Sequence, residues 1–236
     1  MDIVLVPGLW LDASSWYEVT PHLEAAGHRV VAVELPGMES RDADRSRITV
    51  DDHVAAVVAA IDAADGSVIL VGHSAGSGIA SAAVDARPDR VARAIYVGGF
   101  PSPDGDVLIN GFDAVNGEIP LPDFSEFSDE DLGDLDEAAL AAFRERSIPS
   151  PEQVVHGVIH LHDDRRYSVP VTAICPEYTA ADLQEWIAGG EASVQEFARI
   201  ADVTYVDLPT GHWPQFTKPA ELAVLILAQP PLSDAS

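Results

Sequence analysis

Residues 68–76 read Val-Ile-Leu-Val-Gly-His-Ser-Ala-Gly and decide how the rest of the chain is interpreted. The apolar run at their start predicts a short buried strand, and the small residues of 75–86 predict a helix directly after it. Between strand and helix, residues 72–76 fit the pattern G-x-S-x-G, in which a serine stands on a tight strand-to-helix turn. Such a turn exposes the Ser74 hydroxyl at a helix N-terminus, where developing negative charge is favoured. The stretch therefore predicts a nucleophilic serine.

Outward from this turn, short apolar runs alternate with helical patterns along most of the chain. This alternation predicts an α/β fold with a mostly parallel central sheet and helices on both faces. Thr49 followed three residues later by Asp52 resembles a capping box at the start of one helix. The expected strands are 3–6, 29–33, 67–71, 95–97, 171–174 and 203–206, and the expected helices are 15–26, 49–64, 75–86, 181–187 and 220–227.

Residues 101–166 interrupt the alternation. No strand is predicted there, but helical patterns cover 129–146 and 152–161. An insertion of roughly 60 residues between two strands is too long to be a simple loop. We therefore expect a helical cap (lid) at 101–166 over the carboxyl edge of the sheet, with 1–100 and 167–236 forming the core.

Composition disfavours several classes of partner. The 236 residues include 13 Lys+Arg and 39 Asp+Glu, for a net charge of −26. Phosphate binding needs Lys or Arg, so we expect no nucleic acid, no anionic membrane surface and no multiply anionic substrate. The single cysteine, Cys175, allows no intrachain disulfide, and no targeting segment is visible. The expectation is a cytoplasmic monomer or homodimer that acts on a small molecule.

Some polar groups are interpreted as structural. The acidic run 129–137 is expected to be a solvated helix face, and the tail after Gln229 is expected to fray. His156 and His160 have the spacing of two ligands on one helix, but neither an H-E-x-x-H pattern nor a cysteine cluster accompanies them. We therefore expect no metal and no cofactor.

A serine hydroxyl is a poor nucleophile without a base and a site for the oxyanion. His212 follows the expected strand 203–206 and a glycine turn near the C-terminus, which is where the base of this architecture lies. The two oxyanion donors are expected to be the N–H groups of Ala75, directly after the serine, and of Leu9, in the loop after the first strand. Gly8 allows that loop to approach closely.

The acid that orients the base should follow the serine and precede the histidine in the chain. Glu177 stands at the end of the expected strand 171–174 and is the first candidate. Asp182, one helical turn later, is an alternative. Asp104 or Asp106 could also serve if the insertion folds back over the site.

Four side chains are expected to line a substrate pocket: Trp10, His73, Phe100 and Trp213. Trp10 and Trp213 flank the expected oxyanion loop and base, and Phe100 follows a strand whose end should open on the site. Aromatic walls would suit an apolar acyl or alcohol group, whereas ordinary packing is the structural alternative for these residues.

Gly8, the turn at 72–76 and the pair Gly211-His212 together resemble the α/β-hydrolase superfamily over nearly the whole chain. Residues 15–19 and 23–30 are similar to its small methylesterase-like and hydroxynitrile-lyase-like branch. The resemblance implies the α/β-hydrolase fold with a helical cap. It also implies acyl transfer at the serine, with the Leu9 and Ala75 N–H groups holding the oxyanion.

The chain departs from that branch at several positions. Pro7 stands where the usual first-loop pair has histidine, and the acid is usually Asp, where Glu177 or Tyr178 stands here. Trp213 occupies the place of the lysine found in cyanohydrin-cleaving members. We therefore predict a serine esterase for a carboxylic ester or lactone of a neutral, fairly hydrophobic molecule. A lyase, cyclase or C–C-bond hydrolase using the same residues, and a ligand-binding protein on the same fold, remain alternatives.

Overall fold

The computed structural model describes residues 1–228, so the tail after Gln229, for which fraying was predicted, lies outside the described residues. Strands alternate with helices, as the hydrophobic pattern predicts. The strands are β1 Asp2–Val6, β2 Arg29–Ala32, β3 Val68–His73, β4 Val91–Val97, β5 Glu118–Ile119, β6 Ser150–Pro151, β7 Val171–Cys175 and β8 Val203–Asp207. The α-helices are α1 Thr20–Ala25, α2 Val50–Asp62, α3 Ala75–Ala86, α4 Glu137–Arg146, α5 Glu152–Val155, α6 Ala180–Gly189, α7 Pro214–Thr217 and α8 Pro219–Leu227.

Six of these strands form one parallel sheet in the order β2-β1-β3-β4-β7-β8. Both faces of the sheet are covered, and β1 shows how the period of two distributes its side chains. Ile3 and Leu5 pack in one core cluster with residues of α1 and α8, whereas Val4 and Val6 belong to the other cluster, with residues of α2 and α3. The sheet is therefore buried on both sides, as a parallel sheet with crossover helices requires.

The register of the sheet brings the carboxyl ends of its central strands together. His73 at the end of β3 pairs with Val97 of β4, and Val97 pairs with Ile174 of β7. Gly72 pairs with Val6, the last residue of β1. The loops that leave these four strands therefore start side by side at one edge of the sheet, where α/β proteins place their sites.

The first helix of the core differs from the sequence prediction, whereas the second begins with the predicted cap. The helix expected at 15–26 is split into a 3₁₀ turn at Ala13–Trp16 and the short helix α1. Pro21 stands in the first turn of α1, where its missing N–H costs no hydrogen bond, and it cannot continue a helix from upstream. In α2, Thr49 and Asp52 form the predicted capping box.

The insertion between β4 and β7 is less helical than predicted. Its α-helices are α4 and α5, and short 3₁₀ helices lie at Phe124–Glu126 and Asp164–Ser168. Contrary to the prediction it also contains strands, because β5 and β6 form a two-residue antiparallel pair. It contacts the loops at the carboxyl edge: the Ile148 N–H donates to the Trp10 carbonyl at 2.9 Å. Within the described residues, no helix has the length and apolar character needed to span a membrane.

Candidate active site

Ser74 occupies the turn between β3 and α3 in a strained backbone conformation. Its φ of 53° and ψ of −129° lie in a region that residues other than glycine rarely adopt. The turn depends on close backbone packing, because a Cβ on Gly76 would lie 2.4 Å from the Pro7 carbonyl oxygen. The Ser74 N–H donates to the Val97 carbonyl at 2.9 Å, which fixes the turn against β4. Strain held by surrounding contacts is typical of a functional position.

His212 contacts both Ser74 and Glu177. Its Nε2 is 2.9 Å from Ser74 Oγ, and its Nδ1 is 2.7 Å from Glu177 Oε1. Because a carboxylate only accepts hydrogen bonds, Nδ1 carries the proton and donates to Glu177. The lone pair of Nε2 therefore faces the serine hydroxyl and can accept its proton. These three groups can activate a hydroxyl as a nucleophile.

The other acids considered from the sequence lie elsewhere. Asp182 Oδ2 accepts from the Thr179 N–H at 2.9 Å and caps α6. Asp104 Oδ1 accepts from the Leu161 N–H at 2.8 Å inside the insertion. Asp106 is exposed at the mouth of the cavity beside Ser74. Among the candidate acids, Glu177 is the one that the fold brings to His212.

The loop after β1 lies against the serine. A Cβ on Gly8 would be 3.0 Å from Ser74 Cβ. Gly8, Leu9 and Ala75 together line one small cavity. The next residue, Trp10, has a φ of 63°, a left-handed conformation that costs a bulky residue about 1–2 kcal/mol. Hydrogen bonds from the Trp10 N–H to Ser150 Oγ at 3.0 Å and from its indole to the Ile119 carbonyl at 3.1 Å hold it there. The insertion therefore fixes the loop that carries the Leu9 N–H.

His73 is hydrogen-bonded to the backbone of His212, the candidate base. It is fully buried; its Nε2–H donates to the His212 carbonyl at 2.7 Å, and its Nδ1 lies 3.3 Å from the Gln215 amide nitrogen. Burial, with a smaller contribution from the nearby His212 ring, lowers the pKa of His73 to about 3. His73 is therefore a neutral structural residue that holds the backbone of His212.

A cavity of about 460 Å³ opens beside Ser74 and His212. Phe100 lines it, whereas the other three residues expected on the pocket wall do not. Trp10 lines a neighbouring cavity, His73 is buried beneath the turn, and Trp213 packs between His212 and Phe143 with ring centroids at 5.0 and 4.9 Å. These three side chains support the loops of the site from outside the cavity. No Lys or Arg is among the described residues that line the cavity.

Asp131 is a residue of the site that sequence reasoning missed. The acidic run around it was expected to be a solvated helix face, but α4 begins only at Glu137, and Asp131 instead lies beside the base. Atoms of its carboxylate, the Glu177 carboxylate and the His212 ring lie within 4.8 Å of one another, the one such group of metal-type donors in the described part of the chain. Both His212 nitrogens already serve Ser74 and Glu177, so we assign no metal here.

Comparisons with known proteins agree with this architecture. Residues 3–225 match the sequence model of the Alpha/beta hydrolase family. The chain belongs to this family.

Within the family, the chain is similar to plant methylesterases. It is 31% identical to methylesterase 7 of Arabidopsis thaliana, over 95% of this chain and 94% of that protein. It is 28% identical to a pyrethroid hydrolase of Sphingobium wenxiniae, over 95% of this chain and 86% of that protein. The solved structure of an extracellular alpha/beta-hydrolase from a Paenibacillus species superposes with a TM-score of 0.77 at 22% identity, covering 96% of this chain and 98% of that one, which supports the fold.

Proposed function

We propose that the protein is a serine hydrolase that cleaves carboxylic esters of small, neutral, largely apolar molecules. The observation that carries the proposal is His212, which contacts Ser74 Oγ at 2.9 Å and Glu177 Oε1 at 2.7 Å. A base connected on one side to a strained serine and on the other to a carboxylate has the connectivity of a catalytic triad. Family membership and the similarity to methylesterases point to the same chemistry.

In the proposed first step, Ser74 Oγ attacks the ester carbonyl carbon while its proton moves to His212 Nε2. The negative charge that develops on the carbonyl oxygen is stabilised by the N–H groups of Leu9 and Ala75. Ala75 is the first residue of α3, so its N–H is one of the unpaired donors at a helix N-terminus. Glu177 stabilises the imidazolium that forms. The tetrahedral intermediate then collapses, and the alcohol leaves with the proton from His212.

In the second step, water replaces the alcohol. His212 takes a proton from the water, whose oxygen attacks the acyl carbon, and the same N–H groups hold the second oxyanion. Collapse returns the proton to Ser74 Oγ and releases the carboxylic acid. No cofactor or metal enters this sequence.

The cavity supports the proposed substrate class. A volume of about 460 Å³ is within the range of small-molecule sites. Its wall combines Phe100 and the apolar segment Val107, Leu108 and Ile109 with polar side chains, among them Ser102, Asn110 and Ser193. The carboxylates of Asp106 and Glu177 are present without a compensating Lys or Arg, which disfavours anionic substrates and assists release of an acid product. We propose a methyl ester as the natural substrate, with methanol as the leaving group, by similarity to the methylesterases.

The proposal is tested with p-nitrophenyl esters of increasing acyl length and with methyl and butyl esters of one aromatic acid. We expect turnover by the wild-type protein, a rate that falls once the acyl group exceeds the cavity, and a preference for the methyl ester. Ser74→Ala should lower kcat by about 10⁴-fold or more. Labelling of the wild type, but not of Ser74→Ala, by a fluorophosphonate would identify the serine directly. A folded wild type that is neither labelled nor active would refute the proposal.

A further inference from the structure

The backbone around Asp131 is hydrogen-bonded to the loop that contains Gly211 and His212, called the base loop below. The His212 N–H donates to the Asp131 carbonyl at 2.8 Å, and the Gly211 N–H donates to the Gly133 carbonyl at 3.0 Å. A Cβ on Gly211 would lie 2.5 Å from the Asp131 oxygen and 2.4 Å from the Gly133 oxygen. Only glycine fits at position 211, so the segment 131–133 of the insertion lies in fixed contact with the loop that presents the base.

The Asp131 side chain is also held in one place. Its Oδ2 accepts from the Ser128 N–H at 3.0 Å and from Ser128 Oγ at 2.9 Å. One oxygen of the Asp131 carboxylate lies within 4.8 Å of both the Glu177 carboxylate and a ring nitrogen of His212. No Lys or Arg forms an ion pair with Asp131 in the described part of the chain, so its charge has no direct cationic partner there.

The charged and titratable groups that face the His212 ring are few. From the loop after β7 comes Glu177, at 2.7 Å from Nδ1. From the insertion comes Asp131. From the end of β3 comes His73, with its ring centroid 5.1 Å away, and burial keeps its pKa at about 3, so it carries no charge at neutral pH. Among the described residues, the contacts of the His212 ring therefore include two carboxylates and no Lys or Arg.

We propose that Asp131 is a positioning residue that acts through His212: together with Glu177, it stabilises the imidazolium that forms when Ser74 is deprotonated. The inference rests on the proposed serine mechanism. Its physical basis is that a negative charge less than 5 Å from a forming positive charge lowers the energy of the charged state, even where water partly screens the pair. Glu177 also orients the ring through its direct hydrogen bond, whereas Asp131 contributes through its charge and its backbone carbonyl.

The test compares Asp131→Asn in two backgrounds. In the wild type, we expect kcat/KM for p-nitrophenyl acetate to fall about 3- to 10-fold, because Glu177 remains. The acid limb of the pH–rate profile should move to lower pH by about 0.5–1 unit, because the imidazolium loses a neighbouring negative charge. Asp131→Glu keeps the charge and should keep the acid limb near its wild-type position.

The second background is Glu177→Gln, which should by itself lower kcat/KM by about 100-fold. There, Asp131 is the remaining carboxylate beside His212, so adding Asp131→Asn should cost at least a further 30-fold, more than it costs in the wild type. Equal costs in both backgrounds, or an unmoved acid limb, would show that Asp131 has only a structural role. Asp129→Asn, an exposed acid of the same run, is the matched control and should change neither the rate nor the profile.

The rate at which a fluorophosphonate labels Ser74 gives the same acid limb without any ester substrate. A wild type that is labelled, with a labelling profile that Asp131→Asn does not move, would overturn the role of Asp131 and leave the serine mechanism standing. A wild type that is not labelled at all would overturn both. Thermal unfolding of each variant, expected within a few degrees of the wild type, separates a change in charge from loss of the fold.

Discussion

Gly211→Ala should disable the site without touching a reacting group. The new Cβ would meet the Gly133 carbonyl oxygen at 2.4 Å, the Asp131 carbonyl oxygen at 2.5 Å and the Gly133 nitrogen at 2.8 Å. These contacts are roughly 1 Å inside ordinary van der Waals distance, and all three partners are backbone atoms. The base loop and the insertion must therefore separate by about that amount, which breaks the two backbone hydrogen bonds between them.

Two consequences can be measured. A displacement of His212 by about 1 Å should lower kcat/KM on p-nitrophenyl acetate by about 100-fold. Loss of two hydrogen bonds, at about 0.5–1.5 kcal/mol each, should lower the free energy of unfolding by about 1–3 kcal/mol, or Tm by several degrees. Gly189→Ala is the control, because a Cβ there meets nothing within 4 Å, and we expect unchanged activity. Full activity in Gly211→Ala would refute the claim that the insertion positions the base.

Three further predictions concern neighbouring residues. Phe100→Ala should enlarge the cavity and raise kcat/KM for long acyl esters relative to acetate; an unchanged chain-length profile would remove Phe100 from the acyl site. Burial lowers the pKa of His73 to about 3, so as the pH falls below about 6.5 this side chain gains a proton in the unfolded state but not in the folded state. Between about pH 6.5 and pH 3, the free energy of unfolding therefore falls by at most about 1.4 kcal/mol per pH unit. Urea unfolding at pH 7 and pH 5 should therefore show a smaller loss of unfolding free energy for His73→Gln than for the wild type. Equal losses would show that the pKa of His73 is not lowered. Gly76→Ala should prevent folding or lower Tm sharply, since its Cβ would lie 2.4 Å from the Pro7 oxygen; a wild-type Tm would argue against the close packing of the turn.

The pattern of residue types within one segment predicted the structure correctly where that segment alone determines its conformation. The helix α3 has the bounds that the small-residue pattern predicts, and the Thr49 capping box forms as its spacing indicates. The pattern was less informative in the insertion. There the predicted helix 129–146 begins only at Glu137, after the Asp136 cap, because the residues before it turn to contact the base loop. Tertiary hydrogen bonds replaced the helical bonds that local sequence would allow.

The aromatic residues show a second limit of sequence reasoning. Trp10 and Trp213 flank the site in the chain, and the sequence alone could not choose between pocket wall and packing. In the fold, both side chains are buried, with Trp10 at 4% exposure and Trp213 at 2%, and they pack against aromatic residues of the insertion. Proximity in sequence to a catalytic loop says which loop a side chain supports, but not which side of that loop it faces.

The sequence by itself determined the fold class and the strained turn at Ser74. These depend on local conformational preferences and hydrophobic periodicity, which a single segment carries. Only the tertiary structure decided that Glu177 rather than Asp182 reaches His212, and that Asp131 lies beside them. The reason is that these contacts join residues far apart in the chain, and their distances depend on how the insertion closes over the sheet.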